Sequence, residues 1–177
     1  PIKQITKIDP IIEKGHMSLD NFTIRNLEIF QSLMDQSSKG TLFDTLNKTK
    51  TPGGSRLLKH WLVFPLTNKS DIYNRYDIIS AFKKDKSILE SISNSLRKVI
   101  DVERLFVKIC KGTVNPQELI LFSQTLSKIP IWIDELSKSK NKGFKFILGL
   151  FKNSNQIVEK INTIISENTP NQIKSGN

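Results

Sequence analysis

The sequence predicts an all-α fold: an irregular multi-helix bundle behind a short extended N-terminal lead-in. Apolar residues recur at three- and four-residue spacing from residue 20 onward, and no convincing strand alternation follows Leu19. Helix-start signatures punctuate the chain at Asp20, Thr41, Asn68 and Asn115. No block of fixed length repeats, so the helices differ in size and a repeat solenoid is the poorer reading. The 177 residues suit one domain. Its expected layout is a connector at 1–19, a helical core at 20–167 and an extended tail at 168–177.

Asp20 is placed to cap a first helix in which Ile24, Leu27, Phe30 and Leu33 or Met34 form one apolar stripe. Residues 36–40 read as a polar loop. Thr41 with Asp44 three positions on resembles a capping box that opens a short helix carrying Leu42 and Leu46. Thr51-Pro52-Gly53-Gly54 then reads as a turn, because proline disfavours helix at the residue before it and glycine permits unusual backbone angles. The next helix spans 55–62, with Leu57, Leu58, Trp61 and Leu62 inward, and stops before Pro65.

A further helix from Asn68 or Ser70 carries Ile72, Tyr76, Ile79 and Phe82. Ile88, Leu89, Ile92, Leu96 and Val99 mark another. Asp101 begins the next, with Val102, Leu105, Phe106 and Ile109 expected inside and Gly112 as its stop. Asn115-Pro116-Gln117-Glu118 combines a capping side chain, proline at the first helical position and a reciprocal Glu. Leu119, Phe122 and Leu126 are its stripe. Pro130 opens a short helix with Trp132, Ile133 and Leu136. A Lys/Ser/Asn-rich loop at 137–143 precedes helices over 144–151 and 156–165, the latter aligning Ile157, Ile161 and Ile164.

Composition excludes several classes. The longest apolar runs, such as 129–133 and 146–151, are far short of the roughly 20 residues a bilayer span requires. The N-terminus has scattered charges and no apolar signal region, and Pro1 suggests a piece of something longer. The single cysteine, Cys110, cannot form an internal disulfide, fits a reducing compartment and reads as a small core residue. A net charge of +10 permits phosphate binding. However, 22 Lys against 5 Arg, with 24 Ile and 14 Asn, is also what an A+T-rich genome produces. The scarcity of Arg is more informative. Arg25, Arg56, Arg75 and Arg104 stand where a planar five-donor guanidinium is expected to make specific contacts that an ammonium cannot.

No active site can be assembled. The Thr-Pro-Gly-Gly-Ser segment lacks the Gly-Lys-Ser/Thr ending of a phosphate loop and follows no buried strand. His16, His60 and Cys110 are scattered without ligand spacing. Asp101 and Glu103 point to different faces of a helix, so they do not share a proton; Asp101 is expected to cap while Glu103 or Arg104 makes an ion pair. Lys138, Lys140, Lys142 and Lys145, with Phe144 and Phe146 nearby, are candidates for phosphate contact, a solvated loop being the competing reading.

These segments, in this order, resemble the core (lever) domain of the MutS family of DNA mismatch-repair proteins. The stretch 18–30, SLDNFTIRNLEIF, is similar to that family's Leu-Asp-x-x-Thr-x-x-x-Leu-Glu motif. The stretch 40–66 resembles its Gly-Ser-Leu, Thr-x-Thr, Gly-x-Arg-x-Leu and Trp-Leu-x-x-Pro-Leu block. DIYNRYDII, DVERLFVKI and VNPQELILFSQTL match the signatures that follow, and the terminal residues resemble the connection before the long lever helix. Departures are Gly53, where relatives often carry Met, and the Lys/Asn-rich stretch at 138–145. The resemblance implies no catalytic, cofactor or metal residue in this chain. It implies a mechanical part within a larger dimeric, DNA-dependent ATPase of the bacterial cytoplasm and nucleoid. ATP and Mg, mismatched duplex DNA and a MutL-type partner would be engaged by that larger protein, with no membrane involved. Arg25, Arg56, Arg75 and Arg104 would stiffen the relay, with Asp101, Trp61, Leu62 and Pro65 as anchors. A MutS-like paralogue serving recombination and an autonomous basic helical nucleic-acid-binding module are the alternative readings.

Overall fold

A computed structural model describes residues 15–165; the expected connector up to residue 14 and the tail at 168–177 lie outside the described residues. Within them the chain folds into ten α-helices, and its one β-type contact is an isolated antiparallel bridge between His16 and Leu66. The Met17 N–H donates to the Pro65 carbonyl at 2.8 Å, and the Thr67 N–H donates to the Gly15 carbonyl at 2.9 Å. The end of the lead-in is thereby laid along the loop that follows the third helix.

The first three helices form the N-terminal part. α1 (Asn21–Asn26) starts as expected, Asp20 accepting the Thr23 N–H at 2.7 Å. It then stops, well short of the expected stripe to Met34. Glu28 takes a left-handed φ of 48°, and its own carboxylate accepts the Leu33 N–H at 2.5 Å, which holds the chain in a turn. The turned segment docks on α2 (Leu42–Leu46): Leu42 and Phe43 donate to the Glu28 and Ile29 carbonyls. Ile29 is therefore the buried residue, while Leu27 and Leu33 are exposed and Met34 is 96% exposed. At α2, Thr41 accepts the Asp44 N–H as anticipated, but the Asp44 carboxylate reaches the Gly40 N–H at 3.0 Å, one residue beyond a capping box.

α3 (Pro52–Val63) begins three residues ahead of expectation. Thr51 Oγ1 accepts the Gly54 N–H at 3.0 Å and Pro52 occupies the first helical position, so the two glycines lie in the first turn of helix and not in a separate loop. Leu58 and Leu62 are half-buried, whereas Leu57 and Trp61 of the expected inner face are exposed.

The remaining helices make the main bundle. α4 (Lys69–Lys84) is capped by Asn68 and α5 (Lys86–Leu96) by Asp85. Of the α4 stripe, Ile72 and Phe82 turn inward but Tyr76 and Ile79 are exposed; Ala81 takes the buried centre. α6 (Val102–Cys110) ends at Gly112, whose φ of +66° lets its N–H reach the Ile109 carbonyl and the Thr113 N–H reach that of Lys108. Leu105 is buried, but Phe106 and Cys110 are exposed, so the cysteine is not a core residue. α7 (Pro116–Leu126) opens with the full reciprocal capping box between Asn115 and Glu118. α8 (Lys128–Ser137) starts two residues before Pro130. α9 (Lys142–Leu150) likewise starts two residues before Phe144, and α10 (Asn155–Ile164) follows. Ile157 and Ile164 of the last expected row are exposed, Ile161 half-buried.

The core lies where α4, α5, α8 and α9 meet, around Ala81, Ile88, Leu136 and Phe144, with Phe82, Ile92, Ile147, Leu148 and Phe151 packed against it. Trp132 on α8 donates to Ser95 on α5 at 2.7 Å, satisfying the indole N–H at the edge of the core. α7 bridges α8 to α10, where Ser123 donates to Asn162 at 2.7 Å.

α9 lies directly on the α4 backbone at buried Gly143. A Cβ there would stand 2.3 Å from the Asp77 carbonyl oxygen and 2.8 Å from the Ile78 Cα. Both are backbone atoms, so no side chain can rotate out of the way. Gly143→Ala is predicted to lose at least about 2 kcal/mol of stability, the upper range for overpacking, read as the urea midpoint by circular dichroism. Gly149→Ala, on the same helix with nothing within 4 Å of the new methyl, is expected to be neutral or to gain up to about 1 kcal/mol from helix propensity.

Candidate functional site

The N-terminal helices and the main bundle are joined by two guanidinium groups. Thr51 fixes where α3 starts, and this sets Arg56 on the side of that helix that faces α6. Asp101 is the N-cap of α6, accepting the Arg104 N–H at 3.3 Å. The same carboxylate receives Arg56 end-on: Nη1 to Oδ2 at 2.9 Å and Nη2 to Oδ1 at 2.7 Å. The remaining edge of the guanidinium is used too, Nε donating to Glu103 Oε2 at 2.6 Å. All three nitrogens are engaged by carboxylates 45 and 47 residues away in sequence. This is the geometry that a planar fork satisfies and an ammonium cannot.

The electrostatics follow from these bonds. The hydrogen bonds from Arg56 hold the Asp101 carboxyl below its ordinary range, with the Arg104 N–H adding to the effect and partial desolvation opposing it. Asp101 and then Glu103 push the Arg56 pKa further above its ordinary value. The α6 N-terminus, with its unpaired N–H groups, favours negative charge at both Asp101 and Glu103. The Asp101 side chain is 18% exposed, so water screens the contact only in part.

The second joint is a stack. The Arg75 guanidinium of α4 lies 3.8 Å from the centroid of the Trp61 ring of α3. Burial lowers the Arg75 pKa, and the nearby Asp71 charge opposes that shift. Pro65 sits in the loop between these helices and supplies the carbonyl that Met17 pairs with.

The other expected residues are peripheral. Arg104 is 84% exposed, its Nε 3.5 Å from Asp101 Oδ2. Arg25, in the last turn of α1, edges a shallow hollow with Gln31, Ser32, Leu33 and Gln36, and makes no carboxylate contact among the described residues. Lys138 pairs with Asp134 at 2.7 Å, which raises its pKa; Lys140, Lys142 and Lys145 are exposed, the last two on α9 and not in a loop. The fork and the stack bring together Arg56 with Asp101 and Arg75 with Trp61, but neither includes Arg25 or the lysines. A further tie, Lys108 to Glu118 at 2.5 Å between α6 and α7, was not visible in the sequence beyond the capping role of Glu118.

The arrangement fastens helices to one another through directional polar contacts. Among the described residues no group of three or more His, Cys, Asp or Glu could hold a metal ion. The segment 51–55 does not fit a nucleotide phosphate, because the Gly54 N–H that would have to cradle it is already bonded to Thr51 Oγ1. No helix among the described residues is long and apolar enough to cross a membrane.

Residues 22–177 match the family model described as MutS domain III. The chain is 36% identical over 177 residues to the DNA mismatch repair protein MutS of Flavobacterium psychrophilum, covering 99% of this chain and 20% of that protein. It is 35% identical to the proteins of that name from Flavobacterium johnsoniae and from Caldanaerobacter subterraneus subsp. tengcongensis, again across 99% of this chain and 20% of theirs. The chain thus spans about a fifth of the length of the curated relatives it matches.

Because the Asp101 pKa is lowered on folding, the stability it contributes is present above its unfolded value near about 3.9 and is lost as pH falls through the lower folded value. Asp101→Asn keeps a capping side chain and removes the charge. The variant is predicted to unfold at lower urea than the parent at neutral pH, with the gap closing steadily below about pH 4. A gap of constant size across that range would contradict the assignment.

Proposed function

This chain belongs to the MutS domain III family, and from that premise we propose that it is the core, or lever, domain of a longer mismatch-repair protein. In that protein it links the DNA-reading and clamp domains to the ATPase domain. Its task is mechanical: ATP-dependent changes at one end are passed as rigid-body movement to the end that holds DNA. ATP and Mg, mismatched duplex DNA, a second copy of the parent and a MutL-type partner belong to that whole, acting in the bacterial cytoplasm at the nucleoid.

The observation that carries the reading is the Arg56 fork. A relay needs elements that keep discrete packings, since coupling is transmitted by states that both sites bias differently. A bidentate, directional contact either forms in register or breaks, and it holds α3 against α6 without a large apolar surface between them. The Arg75–Trp61 stack fixes the neighbouring helix pair in the same way. The family membership and the coverage by mismatch-repair relatives support mismatch repair over a recombination paralogue.

Arg56→Lys in the full-length protein is predicted to reduce DNA stimulation of ATP hydrolysis and ATP-driven release of DNA by roughly tenfold, a coupling loss near 1.4 kcal/mol. Nucleotide affinity should change less than twofold on this account. Unaltered stimulation and release would reject the relay, and an equal loss of nucleotide affinity would mark a general folding defect.

A further inference from the structure

α6 is held at its ends more than along its length. Leu105 is its one buried side chain, Val102 and Ile109 are half-buried, and Phe106, Val107 and Cys110 are exposed. At its start, Asp101 and Glu103 take the Arg56 fork. At its other end Lys108 serves with both backbone and side chain. Its carbonyl accepts the Thr113 N–H at 3.0 Å and the Thr113 hydroxyl at 3.4 Å, which closes the turn through Gly112. Its ammonium donates to Glu118 Oε1 at 2.5 Å, while Glu118 Oε2 accepts the Asn115 N–H at 3.1 Å as half of the α7 capping box. Bonds from Lys108 and then from Asn115 hold the Glu118 carboxyl below its ordinary range. Each end of α6 is thus joined to another helix through a carboxylate that also caps a helix.

We propose that Lys108 is a positioning residue for the fork: through Glu118 it fixes α6 to α7, and so fixes where Asp101 and Glu103 stand to receive Arg56. The N-terminal helices are then fastened to the main bundle through the whole length of α6 and not only at its first turn. α7 can serve as the anchor because it packs against α8 and α10 and buries Phe122, Ser123 and Thr125. An ion pair this exposed, with 51% of the Lys108 side chain in solvent, adds little to stability by itself. Its effect comes from geometry. An α6 freed at this end can tilt about Leu105, and the bidentate contact at the other end tolerates little misalignment. This role deepens the relay reading and rests on it for its purpose, whereas its test needs neither nucleotide nor DNA, so the two can fail separately.

Hydrogen exchange resolved by helix on the 177-residue chain tests it. Lys108→Gln and Glu118→Gln each remove the ion pair, and the latter leaves a side chain that can still serve a capping box. Both variants should speed exchange in α6. Although the lost bond lies between α6 and α7, they should also speed it in α1 to α3, by roughly threefold to tenfold. α4, α5, α8 and α9 should keep their protection. Lys108→Arg should retain the parent's pattern. Lys111→Gln, which removes a charge from the same helix end but no ion pair among the described residues, should match the parent within about twofold. Adding Lys108→Gln to Arg56→Gln should cost α1 to α3 no more than Arg56→Gln does alone, because the two contacts act in series. Acceleration confined to residues 108–118 would overturn the role. So would losses that multiply in the double variant, or an equal loss in every helix.

Discussion

One guanidinium ties the third helix to the start of the sixth. Arg56 reaches from α3 to the first turn of α6 and gives all three of its nitrogens to Asp101 and Glu103. Asp101 is at the same moment the cap of α6, so the residue that starts that helix is also the residue that anchors α3 to it. Local and long-range structure thus depend on the same carboxylate. Its depressed pKa records this sharing, since bonds from both directions favour the charged form.

The two parts that the fork connects are built on different principles. The bundle of α4, α5, α8 and α9 is packed on an apolar centre, with Ala81 and Phe144 fully buried and with Gly143 letting α9 lie directly on the α4 backbone. Such packing resists gradual deformation. The N-terminal part has little of this: among its described residues Ile29, in the turn after α1, is the one buried apolar side chain, and α1 and α2 are only six and five residues long. Helices that short are not stable by themselves. Their placement depends on backbone bonds to the 28–29 turn, on the bridge at His16, and on the Arg56 and Arg75 contacts. The structure is thus a firm body that carries a lightly held arm through directional contacts.

Much of the fold was legible because helix starts are written locally. Asp20, Thr41, Asn68, Asp101 and Asn115 all cap helices, each through a bond to a residue two or three positions on. Helix ends and faces were less legible. Glu28 stops α1 through a left-handed turn that its own side chain stabilises, an event no apolar period announces. Tyr76, Ile79, Phe106, Ile157 and Ile164 obey helical spacing and yet are exposed, because periodicity says that a stripe exists and not what lies against it. At the candidate site, the scarcity of arginine pointed to Arg56 and Arg75. It did not reveal that one would meet carboxylates and the other a Trp ring, which depends on pairing helices distant in sequence. It also drew in Arg25, which the fold leaves at the surface.

The most direct measurement is native-state hydrogen exchange on the chain with Arg56→Gln, resolved by helix. If the fork is what ties the arm to the body, amides of α1 to α3 lose protection together while those of α4, α5, α8 and α9 keep theirs. Uniform loss across all helices, or unchanged protection in α1 to α3, would contradict it.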